Sequence, residues 1–203
     1  MNKMTAIPQN YKNNVEWILG AYEDAGVTFP NGFQKDAIQN AVGARKTNKW
    51  KNWSCNISVC KTDKGEFVIV EDSGTMGLTG ANIPAEEINK LMAAGETLDS
   101  TQRLARFTSM FNSGGNATGG GLFGAGKSVY SVASDTYTYY FDSLREDGLY
   151  IANMNKCGQV QSVALENDEA KNFIYDFTGL APKQNVGTRV IIESPKKELV
   201  ESI

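Results

Sequence analysis

Histidine is absent from all 203 residues. A Ser-His-Asp triad, a Cys-His nucleophile pair, a His-ligated zinc and a phospho-accepting histidine are therefore excluded within this chain. Cysteine is scarce. Cys55, Cys60 and Cys157 form an odd set without a secretion signal, which predicts reduced thiols in a cytoplasmic setting. Cys55 and Cys60 lie in a strand-like run at an odd separation, so they point to opposite faces, which argues against a zinc pair. No apolar run reaches the roughly 18 residues of a transmembrane helix, so no membrane span is expected. The opening MNKMTAIPQNYKNN lacks the apolar centre of a signal peptide. An excess of either charge is missing too: 20 Lys and Arg stand against 23 Asp and Glu, a formal net charge of −3. That balance argues against a chain built mainly to coat nucleic acid, and leaves a local basic patch open. What is present is ordinary for a folded protein. An apolar content of 41% supports a core, and the length fits one large domain or two small ones. No repeat and no linker divides the chain, so residues 1–203 are read as a single domain.

The stretch that organises the rest is FVIVEDSGTMG, Phe67 to Gly77. Four apolar residues read as a buried strand. The strand delivers a carboxylate, Asp72, and then Gly74 and Gly77, which let backbone pass close to a flat ligand because they carry no Cβ. An ionised carboxylate only accepts hydrogen bonds, which suits a ligand amine. Upstream, residues 13–25 read as a helix with Val15, Ile18, Leu19 and Tyr22 on one face and Gly26 as its stop. Pro30, Asn31 and Gly32 read as a turn. A second helix over 33–45 carries Phe33, Ala37, Ile38, Ala41 and Val42 as its core stripe. Asp36 and Asn40 sit one turn apart on that helix, one above the other.

Residues 54–71 read as a hairpin turning at TDKG. Pro84 with Glu86 and Glu87 opens a helix that stops near Gly95. Another helix fits DSTQRLARFTSMF, capped by Asp99 or Ser100. NSGGNATGGG, residues 112–121, cannot form the interior of a helix or strand and is read as a glycine-rich lid. GGGLFGAGKSVYS, Gly119 to Ser131, opens a helix whose first backbone N–H groups attract phosphate. Strands are expected over DTYTYYFDS, LYIANMN, QVQSVAL and GTRVIIES, with a short helix over 168–176. KKELVESI reads as the start of one more element.

Four stretches, DAIQN, FVIVEDSGTMG, GGGLFGAGKSVYS and GTRVIIE, resemble in this order the nucleotide-binding boxes of the GHKL ATPase superfamily. That superfamily includes gyrase B, heat-shock chaperone ATPases, histidine kinases and the mismatch-repair MutL proteins. The resemblance spans roughly residues 33–193, and FGAGKS with GTRVII leans towards the chaperone-type branch. It implies an α/β (α+β) two-layer sandwich of the Bergerat type: a mixed, mostly antiparallel sheet with helices on one face. It also implies ATP and Mg2+ as ligands. Asp72 would hold the adenine amine, Gly74 and Gly77 would edge the pocket, and Thr188 would support Asp72. Gly121, Gly124 and Gly126 would cradle the phosphates with Lys127, Asn40 would coordinate Mg2+, and Asp36 would polarise the attacking water. Two departures from the family pattern stand out. The second glycine of Asp-x-Gly-x-Gly is displaced by one residue to Gly77, and the usual Glu is replaced by the shorter Asp36.

The implied activity is Mg-dependent ATP binding with slow hydrolysis to ADP, used as a conformational switch. A non-hydrolysing nucleotide sensor is the alternative, and a purely structural module is a third class. Family members pair in an ATP-dependent homodimer, or join a further domain that supplies a cation to the γ-phosphate, or act on a client. On this reading the chain is the N-terminal part of a longer protein. A rival stays open: GLFGAGKS, Gly121 to Ser128, also fits the P-loop pattern G-x-x-x-x-G-K-S. A P-loop must follow a buried strand, whereas Met110 to Gly120 is polar and rich in glycine.

Overall fold

The computed structural model describes residues 9–45, 52–96, 98–108, 128–157, 159–160 and 163–203. Helix α1 spans Gln9–Asp24 and α2 spans Phe29–Ala44. Gly26, at φ +66°, ends the first as expected. Pro30 does not make a turn. It occupies the first turn of α2 behind Thr28, where its missing N–H costs nothing and its fixed φ is already helical. The buried stripe of α2 is Phe29, Phe33, Ala37 and Ala41, four apart, with Gly32 buried beside it. Ile38 stands one residue round from that stripe and is 43% exposed, contrary to its expected place in the core.

β1 (Ser54–Thr62) and β2 (Gly65–Ser73) form the expected hairpin, in the register Ser54 opposite Ser73. Cys55 and Cys60 pack in different cores on the two faces of the sheet, as their spacing requires. α3 (Ala85–Ala93) and α4 (Arg103–Thr108) follow and share a small cluster of Ile88, Leu98 and Ala105. α4 starts later than expected. The carboxylate of Asp99 caps a preceding turn by accepting from Thr101 N–H at 2.6 Å. Then come α5 (Ser128–Val132), β3 (Thr138–Leu144), β4 (Tyr150–Lys156), β5 (Gln159–Val160), β6 (Leu165–Glu166), α6 (Asn167–Thr178), β7 (Gly187–Glu193) and α7 (Lys197–Val200).

The seven strands form one sheet in the order β1-β2-β7-β3-β4-β5, with β6 also on β4. Every described pairing is antiparallel, so the mixed pairing admitted by the sequence is not found among these strands. β7 enters between β2 and β3 because GTRVIIE is apolar on both faces and is buried over nearly its whole length. Such a strand belongs at the centre of a sheet.

Alternation along the strands sorts the side chains into two layers. On the front face Val68, Val70, Phe141, Val190 and Ile192 pack against Val15 and Ile18 of α1, Phe33 of α2 and Val129 of α5. This is the sheet-and-helix sandwich expected. The back face is covered in addition by α6, whose Ala170 and Ile174 pack on Phe67, Ile69, Tyr140 and Ile191. Among the described residues no helix is long and apolar enough to cross a membrane.

Candidate functional site

Asp72 lies near the end of β2 on the front face and is 7% exposed. Its two oxygens are treated differently. Oδ1 accepts from the Thr75 hydroxyl at 2.6 Å and from Thr188 N–H at 2.9 Å. Oδ2 accepts nothing among the described residues, yet it is not sealed off from outside. One oxygen therefore fixes the group, and the other is presented to a donor.

The backbone around it is drawn tight by glycines. Gly187, at φ +147°, lies against Asp72 so closely that a Cβ would meet its Oδ1 at 2.6 Å. Gly74 (φ +74°) and Gly77 (φ +70°) both adopt left-handed backbone that side chains resist. A Cβ on Gly77 would meet Leu144 O and Ser143 Oγ, each at 2.8 Å. Gly74 N–H donates to Val186 O at 3.1 Å. Ser143 ties the loop to the sheet: its hydroxyl donates to Gly187 O at 2.8 Å and accepts from Leu78 N–H at 2.9 Å. The shifted glycine spacing thus gives a closed loop after Asp72, with Gly77 seated on β3.

Burial pushes the Asp72 carboxyl above the usual carboxylate range, against the opposing pull of Thr75, Thr188 and Lys183. A raised folded pKa means that Asp72 contributes stability below its unfolded value of about 3.9 and loses it as pH rises through the folded value. A ligand that donates to Oδ2 favours the ionised form. Its affinity is expected to climb as pH rises through that raised range and to level off above it, with proton release on binding in the same range. Calorimetry in two buffers of different ionisation enthalpy reads both, and affinity independent of pH across about pH 4 to 8 would contradict it. Cys55, opposite Asp72 in the hairpin, is pushed up to about 11 by burial and then by the Asp72 charge, so its thiol stays neutral.

The two α2 residues meet two different tyrosines that the sequence did not assign to the site. Asn40 Nδ2 donates to the Tyr130 hydroxyl at 3.3 Å. Tyr130 is buried in α5, edge-on to Phe33 and Tyr139. Burial raises its pKa against the lowering effect of the Asn40 bond, with the negative charges of Asp72 and Asp36 adding to the rise. Asp36 Oδ2 accepts from the Tyr22 hydroxyl at 2.7 Å. Tyr22 is held there by Gly32, where any Cβ would meet its ring at 2.6 Å. The indole of Trp53 donates to Ala41 O at 3.4 Å and joins α2 to the start of β1.

Behind the sheet a buried charge network holds the segment that leads into Thr188. Asp142 Oδ1 accepts from Arg189 Nε at 2.9 Å, and its Oδ2 accepts from Arg189 Nη2 and the Tyr150 hydroxyl. Lys183, its side chain fully buried, donates to Glu71 Oε1 at 2.6 Å. Burial pulls the Arg189 pKa down, but Asp142 outweighs it, so the value is raised. Glu71 faces back and Asp72 faces front on consecutive residues, so this network braces the strand that presents Asp72.

The structure therefore brings Asp72, Gly74, Gly77 and Thr188 into one cluster, while Asn40 is joined to Tyr130 and Asp36 to Tyr22. Gly121, Gly124, Gly126 and Lys127, with the lid over 112–121, lie outside the described residues. Thr75, Ser143, Tyr22 and Tyr130 were missed. Hydroxyls near turns are common, Tyr22 reads as core on its helix face, and Tyr130 is one residue of a stretch read for its glycines.

No family model matches the chain, and no curated protein does. Among solved structures, the chain is similar to the 43K ATPase domain of Thermus thermophilus gyrase B, described in complex with an aminocoumarin. The two are 19% identical with a TM-score of 0.44, over 84% of this chain and 35% of that one. The match thus spans about a third of the length of that protein.

Proposed function

We propose that this chain is a single GHKL-type nucleotide-binding domain that takes ATP with Mg2+ and turns it over slowly to ADP, with its strings closest to the chaperone-type branch. The observation that carries the reading is the divided carboxylate of Asp72. Oδ1 is locked by Thr75 and Thr188, and Oδ2 is offered to a donor such as the adenine amine. A ring could approach along Gly74 and Gly77, where the backbone carries no side chain. Asn40 suits a magnesium site because its amide oxygen is a hard ligand and its Nδ2 is oriented by Tyr130. When bound, magnesium would supply charge neutralisation at the phosphates. Among the described residues no three His, Cys, Asp or Glu side chains gather to hold a metal. That fits a cation bound chiefly through phosphates and water. The antiparallel pairing throughout the described sheet favours this reading over a P-loop at Gly121 to Ser128, which belongs to parallel βαβ units.

Asp36 is the proposed base that polarises water. Asp36→Ala is expected to keep ATP affinity within a few-fold and to lower turnover by about 10²–10⁴. Steady-state phosphate release beside calorimetry separates the two effects, and unchanged turnover would remove Asp36 from catalysis. One observation favours the non-hydrolysing alternative: Asp36 Oδ2 is already occupied by the Tyr22 hydroxyl. Titration of ATP, ADP and GTP with and without Mg2+ tests the ligand class. Binding of adenine nucleotides in preference to GTP is expected, and no binding of any of the three ends the reading. An ATP-favoured homodimer, a following domain or a client protein belongs to the same proposal.

A further inference from the structure

Arg103 opens α4 at the seam where the loop after Asp72 is joined to that helix. Leu104 N–H donates to Thr79 O at 2.8 Å, and the Thr79 hydroxyl donates to Thr101 O at 3.0 Å. Gly80, at φ +98°, lies so near this turn that a Cβ would meet Gln102 Cα at 2.7 Å. These contacts fix where the Arg103 side chain leaves the backbone. It stands near enough to Asp72 to feel its charge.

The guanidinium makes no hydrogen bond or ion pair among the described residues, and its Nε is buried with no acceptor. Burial first, and then the like charge of Arg106 one turn on, lower its pKa. Arg145 gives the contrast. Its Nε is also buried without a partner, but its head donates to Asp147 at 2.6 Å and to Gly80 O at 3.2 Å. Arg103 makes no such ion pair among the described residues, and the Asp72 charge only partly offsets the lowering of its pKa. Buried polar atoms are nearly always paired, and Nε is not, while the rest of this half-buried head is left without a protein acceptor among the described residues. The planar fork of donors on arginine matches a phosphate group.

We infer that Arg103 is a cationic ligand group of the candidate site, and that it pairs with the phosphate tail of the nucleotide whose base Asp72 holds. This rests on the reading that the site takes a nucleotide. The test compares ADP with adenosine, which has the base and no phosphate, on the full chain by calorimetry. Arg103→Gln is expected to weaken ADP about 10- to 100-fold and to leave adenosine unchanged. Arg103→Lys should retain part of the ADP affinity, because it keeps the charge and loses the fork. The ligand-free thermal midpoint of Arg103→Gln should equal or exceed that of the parent, since the change breaks no hydrogen bond or ion pair among the described residues and removes the repulsion with Arg106. Unchanged ADP affinity in Arg103→Gln overturns the assignment and leaves the nucleotide reading standing, and so does an equal loss for both ligands. A parent that binds neither ligand overturns the nucleotide reading and this inference together.

Discussion

Asp72→Asn should abolish adenine-nucleotide binding while the fold survives. The direction follows from the unequal oxygens. Thr75 and Thr188 both donate to Oδ1, so an asparagine must place its carbonyl oxygen there. Its amide nitrogen then falls at the Oδ2 position and turns a donor towards the ligand amine. Losing a charged acceptor and setting two donors face to face costs about 2–4 kcal/mol, or about 30- to 1,000-fold in Kd. Stability should change little, because both fixed hydrogen bonds are retained and a carboxyl disfavoured by burial has gone. Calorimetric ATP affinity equal to that of the parent would sink the assignment of this site.

Asp142→Ala should have the largest effect on stability. The change leaves the Arg189 guanidinium and the Tyr150 hydroxyl without their acceptor on the back face. Arg189 keeps only its bond to Ala181 O, at 2.9 Å. Breaking a buried pair on one side costs about 3–5 kcal/mol, because the remaining charge is uncompensated. Denaturant unfolding should show this as a lower midpoint at unchanged slope. A loss below about 1 kcal/mol would mean that water reaches Arg189 and that the network is no brace. Replacing Asp142 and Arg189 together by apolar residues should be milder than Asp142→Ala alone, since no orphaned charge remains.

The hairpin of β1 and β2 was legible because its signals are local: alternation, a TDKG turn and a run of four apolar residues. The same holds for α1, α3 and β3, and for α6, which runs slightly longer than expected. Pro30 misled because proline marks a turn and a helix start equally well, and Thr28 behind it makes no side-chain capping bond that would tell them apart. Ile38 misled because a stripe of threes and fours admits it, whereas the buried face turns towards Phe33, Ala37 and Ala41 and leaves Ile38 at its side. The position of β7 could not be read, since GTRVIIE carries nothing that names its neighbours. Within the site, Asp72 was visible as a charge ending an apolar strand. Its partner Thr188 was visible only through the family pattern, because the two lie 116 residues apart. The Lys183–Glu71 pair, 112 apart, carried no pattern at all. Arg103 looked like an ordinary cation on a helix face; what sets it apart is the absence of a partner, which has no trace in sequence.

The place of β7 has a consequence for when the site comes into being. Among the described strands it alone pairs with both β2 and β3. A chain emerging from the ribosome makes the β1–β2 hairpin early and the β3–β4 hairpin later, and neither pairs with the other. At that stage Asp72 is an acid on a solvated ribbon: Thr188 has not been synthesised, and no pocket exists for a nucleotide to occupy. Closure of the longest-range contacts is the slow part of such a topology. The two ribbons become one sheet, and the site appears, in the same event. On the proposed function, a nucleotide bound there would stabilise the finished sheet as a unit by mass action, with no grip on either half alone.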